Sequence, residues 1–137
     1  MHTQIIPHLN FNGHCREALT FYQQCLGGDL SLQKVAESPM AAKMPSEAGA
    51  NILHGCLTRN GETLVMGSDM LGANTKPGNT VSLCLNCSSD EELQRFFQKL
   101  SVDGTVKTPP HQSFWGATYG ELIDKYGMDW MLNHTRN

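Results

Sequence analysis

Six histidines, five cysteines and a thin scatter of carboxylates are the groups in this chain with chemistry to offer, and few of them cluster in sequence. Cys84-Leu85-Asn86-Cys87 has the spacing of a redox or zinc pair. It overlaps the alternating run Val81-Ser82-Leu83-Cys84-Leu85, which reads as a strand. Residues three apart on a strand point to opposite faces, so these thiols do not converge on one ion. A redox pair also belongs at a helix N-terminus. Two unrelated reduced thiols are expected instead. Glu121 is the one carboxylate nominated as a general base, since it shares a strand face with the hydroxyl of Tyr119. Phe114-Trp115 lies on a Gly-flanked loop after Pro109-Pro110. Its indole either covers a bound ligand or pins the loop to the body. His2, His14, His111 and His134 fall near termini or loops and are expected to be solvated. His54 falls on a strand, either bonded to a carbonyl or recruited to a site.

Those groups need a scaffold, and two helices are plain. In Gly13 to Leu26, Cys15, Ala18, Leu19, Tyr22 and Leu26 repeat at helical spacing. Asn12 is the expected cap and Gly27-Gly28 the terminator. In the second, Ser89 and Glu92 form a capping box, Leu93, Phe96, Phe97 and Leu100 the buried stripe, and Gly104 the end. A short alternating strand precedes each helix. Further strands are expected at Ser31 to Ala36, Asn51 to Thr58, Glu62 to Ser68, Thr105 to Lys107, Thr118 to Ile123 and Met128 to Asn133, with Asn60-Gly61 as a hairpin turn. Leu9 and Phe11 share one face of the first strand, and Val81, Leu83 and Leu85 one face of its counterpart. Both faces are expected to pack on the helix that follows. By alternation, His8, Asn10, Met66, Ser68, Thr80, Ser82, Met131 and Asn133 face the other way, together with Trp115 and Tyr119 near the same surface. Methionines there would adapt to an irregular ligand, or simply fill core.

The order strand, helix, strand, strand, strand thus occurs twice at similar spacing, as in a structural duplication. It sets module one at about 4–70, a breaker-rich linker at about 71–79 and module two at about 80–135, within a single domain spanning 1–137. Ser38 to Gly49, with two prolines and three alanines, reads as a mobile loop.

Composition narrows the rest. With 137 residues, 39% hydrophobic and 17% charged, this is an ordinary globular chain. A net charge of -3 provides no field for nucleic acid. There is no apolar run long enough to span a bilayer and no basic, apolar leader. The odd cysteine number fits a reducing compartment, so a cytoplasmic location is expected, where the acceptor-like Asn133-His134-Thr135 would never be glycosylated.

Ser113-Phe114-Trp115-Gly116-Ala117-Thr118-Tyr119-Gly120, followed by Asp124-Lys125-Tyr126-Gly127-Met128-Asp129-Trp130-Met131-Leu132-Asn133-His134, resembles one family closely. So do Leu9-Asn10-Phe11-Asn12-Gly13, Phe21-Tyr22 and Gly27-Gly28. The resemblance is to the PhnB-like branch of the glyoxalase/bleomycin-resistance (vicinal oxygen chelate) superfamily, over nearly the whole chain. It implies an α+β fold of two tandem βαβββ modules, whose curved, mainly antiparallel sheets surround a cleft within a homodimer. Enzymes of that superfamily hold a divalent ion with His or Glu on the first and last strands of each module. The matching positions here are His8, Met66, a residue near Thr80, and Met131. Thioethers and a hydroxyl do not hold a hard ion, so no intact divalent-metal site is expected; a metal, if bound, would use His8 and His54. The resemblance implies a small-molecule-binding protein of the bleomycin-resistance type. The alternative is a divalent-metal-dependent lyase, isomerase or dioxygenase-like enzyme using His8, His54 and Glu121. Relatives also carry a ubiquinone-methyltransferase label. No strand, Gly-rich turn and helix for a nucleotide-derived cofactor supports that label here.

Overall fold

The computed structural model describes residues 3–136. The chain divides into two compact units, Met1–Lys76 and Pro77–Asn137. In the first, β1 (His8–Asn10) leads to α1 (Cys15–Leu26), then β2 (Asp29–Lys34), β3 (Ile52–Arg59) and β4 (Glu62–Ser68). In the second, β5 (Leu83–Asn86) leads to α2 (Asp90–Leu100), then β6 (Thr105–Gln112), β7 (Ala117–Ile123) and β8 (Asp129–Thr135). Each unit makes one mixed four-stranded sheet, in the orders β1-β4-β3-β2 and β5-β8-β7-β6. The first strand pairs in parallel with the last, and the other pairings are antiparallel. The architecture is the expected pair of βαβββ modules.

One face of each sheet is covered by its helix. Cys15, Ala18, Leu19, Tyr22 and Leu26 are all buried, as their helical spacing requires. Beneath them the sheet carries glycines. A Cβ on Gly55 would lie 2.5 Å from Leu19 Cδ1, and one on Gly67 3.2 Å from Cys15 Sγ. In the second unit a Cβ on Gly120 would lie 2.9 Å from the Phe97 ring. Leu93, Phe96, Phe97 and Leu100 are buried there with Leu122, Trp130 and Leu132. Each such side chain stabilises the fold by roughly 1.5–3 kcal/mol. Asn60-Gly61 makes the expected hairpin turn, with φ of 54° and 81°.

Several local expectations are corrected. The N-terminus of α1 is not capped by Asn12. Asp69, buried at the end of β4, accepts from the Cys15 N–H at 3.0 Å and from the Ile52 N–H at 2.8 Å, clamping helix to sheet. For α2, Ser89 Oγ does accept from Glu92 N–H at 3.0 Å, but the Glu92 carboxylate accepts in return from Ser88 rather than Ser89. After α2 it is Asp103, with φ of 59°, that takes the left-handed conformation. Gly104 is instead pressed against β7, where a Cβ would meet Ile123 O at 2.3 Å. The stretch read as a mobile loop is wound into 3-10 turns at Pro39–Lys43 and Ser46–Ala50, the first capped by Ser38. β5 begins only at Leu83, so Val81 packs under no helix and is 74% exposed.

Candidate functional site: two uncovered sheet faces

The face of each sheet turned away from its helix is where most of the candidate residues gather. In the first unit Gly55 and Gly67 point at α1, so alternation turns His8, Asn10, Met66, Ser68 and His54 the other way. His8 stands beside Met66, and Asn10 beside Ser68. His54 is exposed, and its ring lies 6.4 Å from that of His8. Ser68 is buried, and its hydroxyl accepts from Met70 N–H at 3.4 Å, so it supports the face from below. Among the described residues, no three His, Cys, Asp or Glu side chains are grouped to hold a metal ion.

The second unit repeats this register with different chemistry. Phe11 N–H donates to Ser68 O in one unit and Cys87 N–H to Asn133 O in the other, which aligns the two modules residue by residue. Cys84, paired with Met131, therefore takes the place that His8, paired with Met66, holds in the first. Asn86 and Asn133 replace Asn10 and Ser68. Thr80 and Ser82 do not belong to this face; both are exposed ahead of β5, because the strand starts later than the alternation of apolar residues suggests. The thiol of Cys84 is exposed on the sheet and Cys87 is buried beyond its end, so the C-x-x-C spacing joins no pair.

Three strands then build a polar and aromatic cluster. Glu121 lies beside Met131, and Tyr119 beside Asn133. Asn133 Nδ2 donates to Asn86 Oδ1 at 3.4 Å. Lys107 donates to Asp129 at 3.1 Å and lies 3.6 Å from Glu121. The hydrogen bond to Asp129 is the main cause that raises the Lys107 pKa; desolvation opposes it, and the charges of Asp129 and Glu121 add to the rise. Burial first, then hydrogen bonding to Glu121 and its charge, pushes the Tyr119 phenol up to about 12. The phenol is thus held protonated, as a donor toward the carboxylate. Trp115 meets Tyr119 at 5.6 Å and 70°, and His111 meets it edge-on at 6.3 Å. Trp115 is 51% exposed and Phe114 97%, so the loop is not pinned by aromatic burial. Lys107, Asp129 and His111 were not singled out in sequence as site residues. The expected strand ends at Lys107 because Pro109-Pro110 follows, whereas β6 runs through both prolines and pairs His111 with Tyr119.

Trp130 is core, as its neighbour's direction implies, and donates from Nε1 to buried Asp124 at 2.8 Å. His134 is not solvated; its Nδ1 lies 3.0 Å from Cys87 O and the residue is half-buried. His14 is exposed beside Glu17. His2 lies outside the described residues.

A match to the 3-demethylubiquinone-9 3-methyltransferase family model runs from residue 3 to residue 133. The chain belongs to that family. The PhnB-like family also includes solved structures of similar extent. The chain is similar to protein PA1353 from Pseudomonas aeruginosa, with 34% identity and a TM-score of 0.85, over 99% of this chain and 100% of that one. It is similar to a PhnB protein from Bacillus cereus at 26% identity and a TM-score of 0.76, over 97% and 100%. A glyoxalase/bleomycin resistance protein from Albidiferax ferrireducens T118 shares the fold, with a TM-score of 0.67 at 17% identity over 97% and 100%. The PhnB-like chain therefore has the glyoxalase/bleomycin-resistance fold. No helix among its described residues is long and apolar enough to cross a membrane.

Proposed function

We propose that this PhnB-like protein binds a small organic molecule on the uncovered sheet faces, works as a homodimer in the cytoplasm, and does not use a divalent-metal centre of the glyoxalase type. The observation that carries the reading is the donor set on the first and last strands of the two modules: His8 and Met66, Cys84 and Met131. Two thioethers and a thiol are soft donors and do not suit a hard divalent ion that must polarise substrate oxygens. The same faces carry adaptable thioethers, amides and an exposed indole, the kind of lining that orients a ligand without reacting with it. Native mass spectrometry of tag-free protein exposed to the small-molecule fraction of a cell extract tests this. A retained adduct is expected on the wild-type chain and not on Met131→Arg, which changes the open face and spares the helix side. No adduct, or an equal one on the variant, would refute it.

The approach of His8 to His54 supports a second reading, a metal-assisted enzyme. Elemental analysis of tag-free protein decides between them. Stoichiometric metal lost on both His8→Ala and His54→Ala would favour the enzyme.

A further inference from the structure

The second unit's open face joins an aromatic corner to a net negative charge. Trp115 and Tyr119 stand at 70° to each other, with centroids 5.6 Å apart, and Phe114 braces the indole edge-on at 5.0 Å. A corner between steeply inclined rings presents two π faces to one point, which is the arrangement that attracts a compact organic cation. Glu121 neighbours Tyr119 along this face, and Lys107 is shared between Glu121 and Asp129. One lysine against two carboxylates leaves the cluster with a charge of about -1. Asp129 adds an independent sign of unmet demand. Its side chain is only 9% exposed, Oδ2 takes the Lys107 ammonium, and Oδ1 is buried with no hydrogen-bond partner. A positive charge brought near this carboxylate pair would offset part of its uncompensated charge.

We infer that the ligand class of this face is an alkylated ammonium compound, its cationic head seated in the Trp115–Tyr119 corner and facing Glu121. This rests on the small-molecule-binding reading and narrows it. An anionic ligand would meet Glu121 and Asp129 with only Lys107 to offset them. A neutral aromatic one would leave the carboxylates unused.

Trp115 reports on the corner directly, because the other tryptophan, Trp130, is buried in the core. The test titrates choline, and its uncharged carbon isostere 3,3-dimethylbutanol, into the full-length protein while following tryptophan fluorescence. Choline is expected to give a saturable change, with the isostere weaker by about 3- to 30-fold, the range a cation–π contact supplies. Glu121→Gln, on a half-exposed strand position, should weaken choline and leave the isostere unchanged. Trp115→Phe should abolish the fluorescence change while ligand-detected magnetic resonance still shows choline binding, since a π face remains. Equal binding of choline and isostere would overturn the inference. So would choline failing to bind while a Met131-dependent adduct from extract is retained, an outcome that leaves the broader binding reading standing. Loss of both the adduct and choline binding would bring down the two together.

Discussion

Replacing Asp69 with alanine should be among the most damaging single changes outside the apolar core. The carboxylate, 4% exposed, bonds two backbone donors from different elements, the Cys15 N–H at the start of α1 and the Ile52 N–H at the start of β3. A hydrogen bond to a charged group contributes about 1.5–3 kcal/mol, and a buried donor left without a partner costs a similar amount. Losing both bonds should therefore cost about 3–5 kcal/mol, with some relief from water entering the space. That is a large fraction of the roughly 5–15 kcal/mol by which domains are usually stable. With a urea m-value of about 2 kcal/mol per molar, the unfolding midpoint should fall by about 2 M. Equilibrium urea unfolding followed by circular dichroism reads this directly. Asp69→Asn, which retains one acceptor oxygen, should fall between. Asn12→Ala, at the cap that local sequence suggests, should change stability by no more than about 0.5 kcal/mol. If Asn12→Ala proves as costly as Asp69→Ala, or Asp69→Ala nearly neutral, the clamp is not what starts this helix.

Gly55→Val should destabilise by more than about 2 kcal/mol, because even its Cβ would overlap Leu19; thermal unfolding checks it, and an unchanged midpoint would mean α1 does not lie this close. The raised pKa of Tyr119 stabilises the fold fully below the usual tyrosine value near 10, and that contribution should be lost as pH rises through about 12. Ultraviolet phenolate titration should accordingly show a late-ionising component that Tyr119→Phe removes. Sedimentation at micromolar concentration should show a dimer, burying more than about 2,000 Å² in total; a compact monomer with native circular dichroism would contradict it. Tag-free protein should carry less than stoichiometric zinc, manganese or iron, and elemental analysis finding about one ion per chain would refute that.

The helices were legible because their signals are local. The spacing of Leu93, Phe96, Phe97 and Leu100, and Ser89 ahead of Glu92, need only a few neighbouring residues to be read. The cap of α1 was not, because Asp69 is brought to Cys15 by the pairing of β1 with β4, a contact across most of the unit. The start of β5 differs from its sequence pattern for a related reason. Val81, Ser82 and Leu83 alternate as a strand should, yet β8 offers its partner residues only from Trp130 onward, so pairing begins at Leu83. That shift carried Thr80 and Ser82 out of the candidate face and brought in Cys84 and Asn86. The carboxylates beside Lys107 lie on different strands from it, so no linear spacing joins them.

In both units the strand made last lies inside the sheet, between the strand made first and the one made just before it. During synthesis, β5 has no sheet partner until β8 emerges from the ribosome, and α2 has only part of its platform until then. Each unit must therefore pass its longest-range pairing before its core closes, a step that topology makes slow. Until that step, the apolar side of β5 and the stripe of α2 are exposed to other chains, and β7 has a free edge. A truncation within β8 would not trim an edge but split the sheet in two. Damage or delay there should appear first as aggregation of new chains, before any loss from the folded pool.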